Sequence, residues 1–225
     1  MTIRPAFGVA SVLLALTPAP ATEIYLAPFT EGPPKTTRIG FIGIQRNGVK
    51  VDKPVNITQH PGLDDQPCFV ADSTGLLFAS TRDGQAGTYR YDLATKTVAR
   101  AEARDPACAP ASTPDGRPLV ARPKTGTMTF VDKRVDGIAM IREVTISTNR
   151  TTTLATALEG SENLAWTPGG IGLMAARSKI FMLEIDDDRW IEIADLKGQG
   201  IRAITQLAIS PDSKWIAIVS DPAVK

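Results

Sequence analysis

The chain carries one histidine, His60, and two cysteines, Cys68 and Cys108, beside 24 acidic and 25 basic residues. A Ser-His-Asp hydrolase would have to use His60, and no G-x-S-x-G elbow presents a serine to it. His60 lies in the loop ITQHPG with no visible partner set, where a lone histidine most often packs or caps. Metal ligation is poorly served, with no H-E-x-x-H and no C-x-x-C. Asp64-Asp65 and Asp186-Asp187-Asp188 could offer oxygens to calcium, but neither has the D-x-D-x-D-G spacing. The triple aspartate reads as a solvated hairpin tip. Gly198-Gln199-Gly200-Ile201-Arg202-Ala203 fits G-x-G-x-x-A, yet Ile204 to Ile209 after it is strand-like, not a helix whose N-terminus could hold a pyrophosphate. No catalytic set, metal or cofactor is therefore expected. His60, Asp64, Asp65, Arg82 and Asp83 remain as binding candidates beside strand ends. They either cap turns, the ordinary duty of aspartate there, or present one face to a partner.

Each cysteine follows an aspartate by three residues, in Asp65-Gln66-Pro67-Cys68 and Asp105-Pro106-Ala107-Cys108. These are equivalent positions of a repeat. Stacked sheets lie about 10 Å apart, whereas a disulfide needs Cα atoms within about 7 Å. The pair is bonded only if the sheets converge near a central axis; otherwise it is two small buried thiols.

At 43% apolar and 22% charged residues, the 225-residue composition is that of a globular protein. The N-terminus has the three ordered parts of an export signal: Arg4, the apolar run Ala6 to Leu16, and Ala19-Pro20-Ala21 as cleavage site. That run is shorter than the ~20 residues of a membrane-spanning helix, and no later run reaches that length. Cleavage after Ala21 removes Arg4, the only charge in residues 1–21, and leaves basic and acidic residues equal. With no net charge and no basic block, nucleic acid is excluded as a partner, because phosphate neutralisation dominates that binding. The expected protein is periplasmic or secreted, and monomeric.

The elements that would position these residues repeat along the chain. Four turns align: Ala71-Asp72-Ser73, Pro114-Asp115-Gly116, Pro168-Gly169-Gly170 and Pro211-Asp212-Ser213. Their central residues are spaced by 43, 54 and 43. An apolar run follows each: LLFAS, PLVAR, IGLMAA and KWIAIVS. Such runs do not alternate, as strands buried on both faces do not. Lys179 to Ile193 reads as a hairpin. Each unit is about four short strands, near the 40–45-residue period of propeller blades. The expectation is an all-β propeller of four-stranded antiparallel blades over 22–225, with repeats near 64–103, 105–157 and 161–197. The fourth joins 203–220 to 22–59, so that N- and C-terminal strands share a blade, with Pro54 to Thr58 as an outer strand and Lys35 to Lys53 as a hairpin or loop. The 54-residue interval leaves four or five blades open.

His60 to Pro67, Ala71 to Gly75, Phe78 to Gly84 and Tyr89 to Leu93 resemble the WD40-like repeat of TolB-type periplasmic propellers. The match is specific over 55–100 and moderate over 203–220. Ala71 replaces the family's proline, and Pro168-Gly169-Gly170 lacks its aspartate. The 225 residues leave no room for the α/β domain that precedes the propeller in TolB itself. The resemblance implies the fold and an exported compartment. The function expected is a non-catalytic scaffold for a protein or peptide; the alternatives are a saccharide- or peptide-processing enzyme in the channel, or a truncated propeller without independent function.

Overall fold

The computed structural model describes residues 21–39, 42–60, 62–102, 108, 111–133, 137–161 and 163–221. The expected export signal lies outside these except for Ala21.

The turns build the strands. The third residue of each repeated turn takes a left-handed φ: Ser73 at 58°, Gly116 at 85°, Gly170 at 98° and Ser213 at 57°. Matching backbone bonds close them. Ser73 N donates to Val70 O, and Val70 N to Gly75 O; Ser213 N donates to Ser210 O, and Ser210 N to Trp215 O. Aspartate completes the turn by accepting from backbone two residues on, as Thr74 N to Asp72 Oδ1 at 3.0 Å and Lys214 N to Asp212 Oδ1 at 3.1 Å.

In chain order, β1 (Glu23–Ile39) and β2 (Ile42–Val51) form a hairpin, and β3 (Val55–Asn56) bridges to β1. β4 (Asp64–Phe69), β5 (Gly75–Ser80), β6 (Gly87–Asp92) and β7 (Val98–Arg100) form one antiparallel sheet. β8 (Ala111–Ser112), β9 (Pro118–Arg122), β10 (Thr127–Lys133), β11 (Ala139–Thr145) and β12 (Arg150–Thr156) form the next. β13 (Leu164–Trp166), β14 (Gly172–Ala176), β15 (Lys179–Glu184) and β16 (Arg189–Asp195) form the third. β17 (Ile204–Ile209) and β18 (Trp215–Ser220) return to the start of the chain, in the order β17-β18-β1-β2.

The chain is all-β, with blade-like antiparallel sheets. Glu23 pairs with Ser220 and Pro28 with Trp215, so the two ends of the chain share one sheet. The 54-residue interval is taken up by a fifth strand, β12, within one sheet; among the described residues there are four sheets. The outer strand expected at Pro54 to Thr58 shrinks to the bridge at Val55–Asn56. Asn56 Oδ1 accepts from Thr58 N and Gln59 N, both at 3.0 Å, and turns the chain away. The hairpin tip at Asp186-Asp187-Asp188 also differs from a purely solvated one. The Asp188 carboxylate accepts from Thr156 N and Thr156 Oγ1, both at 2.7 Å, and so ties β12 to the neighbouring sheet.

Three of the four apolar runs are buried on both faces; the run PLVAR departs from that expectation, because as β9 it is only half-buried, with Pro118 and Ala121 exposed. Ile216 and Ile218 of β18 pack with Leu173 and Ile180 of the β13–β16 sheet, while Ala217 and Val219 pack with Leu76 and Phe78 of the β4–β7 sheet. β14 divides likewise, with Leu173 and Ala175 on one side and Met174 on the other, where it meets Ile141 of β11. The sheets β4–β7 and β8–β12 are tied by the disulfide Cys68–Cys108, with Cα atoms 5.7 Å apart.

Ile218 is fully buried. Replacing it with alanine leaves a void beneath a neighbouring sheet, and the expected loss is about 3 kcal/mol. Urea unfolding followed by tryptophan fluorescence checks this; a loss below about 1 kcal/mol would mean that the sheets do not pack as described.

Candidate functional site

Three of the five binding candidates meet in one network. Asp64 opens β4 opposite Ser80 of β5. Its backbone is locked to Thr22: Asp64 N donates to Thr22 Oγ1 at 3.0 Å, and Thr22 Oγ1 donates to Asp64 O at 2.8 Å. Its side chain is fully buried, and Arg82 Nη2 reaches Oδ1 at 3.3 Å. Among the described residues, Oδ2 has no hydrogen-bond partner. Arg82 is held from three further directions. Its Nε donates to Ser80 Oγ at 3.0 Å, and its guanidinium lies 5.2 Å from the Phe78 ring and 4.9 Å from the Tyr89 ring. The Tyr89 hydroxyl donates to Asp83 Oδ2, and Arg100 Nη1 stands 3.6 Å from the same oxygen. Asp64 and Arg82 thus hold the β4–β5–β6 edge together, while Asp83 is exposed.

His60 and Asp65 lie apart from this network. His60 Nδ1 accepts from Gly62 N at 3.0 Å, which places the neutral ring's proton on Nε2. Asp65 Oδ1 accepts from Gln66 N at 2.8 Å, at a break in the β4–β5 register. There the chain bulges, Gln66 takes φ 53°, and its N–H also donates to Gln206 Oε1 of β17 at 3.1 Å.

That crossing bond borders a cavity of about 350 Å³ to which all four sheets contribute. β4 supplies Gln66 and the disulfide, β9 supplies Val120, Asn163 leads into β13, and β17 supplies Gln206 and Leu207. The amides were missed in the sequence. Glutamine and asparagine carry no spacing signal, and only convergence of the sheets makes them neighbours. The cysteine pair was the one available pointer to this axis.

Blade-like sheets whose first strands share one cavity define a protein of the β-propeller type. No protein-family profile and no curated protein matches the chain. Among solved structures, TolB from Acinetobacter baumannii is 16% identical, with a TM-score of 0.34 over 90% of this chain and 48% of its own. The tricorn protease is 12% identical, with a TM-score of 0.35 over 76% of this chain and 24% of its own. A chain of the nidogen/laminin complex is 11% identical, with a TM-score of 0.40 over 90% of both chains. The chain spans about half the length of that TolB. The fold assignment rests on the sheets and their shared cavity rather than on these likenesses. Among the described residues, no helix is long and apolar enough to cross a membrane.

Removing Arg82 leaves a buried carboxylate uncompensated, so Arg82→Met is expected to lose about 3–5 kcal/mol in urea unfolding. An effect within about 0.5 kcal/mol would show the pair to be dispensable. The pH dependence has two edges. Hydrogen bonds from Thr74 and Thr95 hold Asp72 and Asp92 below the usual carboxylate range. Their contribution is complete above the unfolded value, near pH 4, and fades as pH falls through the folded ones. Tyr25 is pushed up to about 12, first by burial and then by donating to Glu23; burial, then the Asp92 charge, raises Tyr91, and donation to Asp83, then burial, raises Tyr89. That contribution is complete below about pH 10 and fades as pH rises toward the folded values. Absorbance at 295 nm should show less tyrosinate near pH 10 in the folded protein than in the urea-unfolded chain; equal ionisation with the fold intact would contradict these environments.

Proposed function

We propose that the chain is an exported, non-catalytic binding propeller that takes a peptide segment of a partner at its central cavity. The observation that carries this reading is the chemistry of the lining. Gln66, Asn163 and Gln206 offer amide donors and acceptors suited to peptide groups, and Leu164, Leu207 and Val120 offer apolar walls. Turnover in the channel would call for an acid–base pair or a nucleophile there. The sulfurs at the cavity are joined to each other, and His60 Nδ1 is engaged by its own loop. Asp83, Asp65 and His60 would add contacts for a protein partner outside the cavity. Export agrees with the disulfide, which persists in oxidising compartments, and with the export-signal pattern of residues 1–21.

Peptide selection from a displayed random library on the immobilised protein tests the reading. Asn163→Trp fills the cavity from its half-exposed border. Selected peptides should bind this variant at least about tenfold more weakly, with the melting temperature unchanged. Equal binding to the variant would move the site elsewhere. Turnover of a screened peptide or saccharide that is abolished by His60→Ala with Asp65→Asn would replace the scaffold with an enzyme.

A further inference from the structure

The loop marked in the sequence by Gly198 and Gly200 has no role in the central cavity. With the two-residue turn between β14 and β15 it borders a separate, open-mouthed pocket of about 770 Å³. Four cationic residues line it: Arg177, Lys179, Lys197 and Arg202, together with Phe181 and Asp195. Backbone bonds fix this rim. Leu196 N donates to Ser178 O at 2.9 Å, and Ile204 N to Arg177 O at 2.7 Å. Leu196 and Ile201 are buried beneath the loop and anchor it. Arg177 has φ 55°, in a hairpin turn that glycine or asparagine fills more easily.

Only part of this charge is answered within the protein. Lys179 Nζ meets Glu192 at 2.7 Å. Asp195 Oδ1 accepts from Ser178 Oγ at 2.9 Å and from Lys197 N at 3.0 Å. Arg177, Lys197 and Arg202 are exposed, and among the described residues the side chain of none forms an ion pair. Three such cations on a fixed rim form a positive field that favours an anion.

We propose that this pocket binds a phosphate ester carried on a small polyol or sugar. Guanidinium forks match phosphate oxygens, and Lys197 adds a point charge. The volume lies within the ~300–1,000 Å³ of small-ligand pockets, more than a bare ion fills. Asp195 selects against phosphate alone, because its charge opposes an anion beside it. Its Oδ2, which has no protein partner among the described residues, can accept from a ligand hydroxyl. Phe181 supplies an apolar wall for the carbon face of the polyol. The same chemistry occurs in a free ester and in a glycerophospholipid headgroup.

The test uses the whole chain and two probes at low salt: glycerol 3-phosphate by calorimetry, and phosphatidylglycerol vesicles by co-sedimentation against phosphatidylcholine vesicles. Saturable glycerol 3-phosphate binding, weakened at least about tenfold in Arg202→Ala and Arg177→Ala and by added salt, supports the site with a free ligand. Vesicle binding alone, with the same loss in both variants, supports it with a headgroup. Binding of neither probe, or binding unchanged in the variants, overturns it. Both variants alter exposed side chains, and an unchanged melting temperature controls for folding. The outcome is independent of the peptide reading, because the two sites are separate.

Discussion

The structure depends on strands that are buried on both faces. β18 has no solvent side: Ile216 and Ile218 serve one neighbouring sheet, and Ala217 and Val219 serve the other. β1 repeats the arrangement, with Ala27 and Phe29 on one side and Ile24 and Leu26 on the other. A sheet built on such strands cannot stand alone, since either exposed face would present an apolar surface to water. Sheets on both sides are therefore a condition of stability. The pairing of β1 with β18 fits the same constraint, because it places strands from the two ends of the chain in one shared sheet.

Polar groups do the joining that apolar faces cannot. The repeated turns shape hairpins, and they also touch one another. Asp212 N donates to Ser73 Oγ at 3.1 Å, and Glu31 Oε2 accepts from Gly169 N at 3.2 Å. A side chain at Gly169 would displace that carboxylate. The Asp64–Arg82 pair belongs to the same class. Its guanidinium, packed against Phe78 and Tyr89, ties β4 to β5 and β6. Many carboxylates that resemble a site in the sequence are thus part of the construction.

The two surfaces with functional character are made differently. The central cavity takes one small contribution from each sheet, so its chemistry is the sum of residues far apart in sequence. The cationic pocket takes its lining from neighbouring parts of one stretch of chain: the β14–β15 turn, the ends of β14 to β16 and the loop before β17. Both rest on strands and hydrogen-bonded turns, which lowers the backbone ordering that binding would cost.

Local chemistry was legible in the sequence, and convergence was not. The four turns could be read because the bonds that Asp, Gly and Pro make in a turn involve residues a few positions apart. The strand runs could be read because burial on both faces erases alternation. The equivalence of Cys68 and Cys108 followed from the repeat, but whether the thiols meet depends on how closely two sheets approach. The full burial of Asp64, the neighbourhood of Gln66, Asn163 and Gln206, the fifth strand in the β8–β12 sheet, and the gathering of Arg177, Lys197 and Arg202 share that character. By itself the sequence determined the all-β architecture and the turn positions, since hydrogen bonding and periodicity act along the chain. Tertiary structure alone decided which polar groups became buried supports and which came to line a cavity, since that depends on the angles and distances at which separate sheets pack.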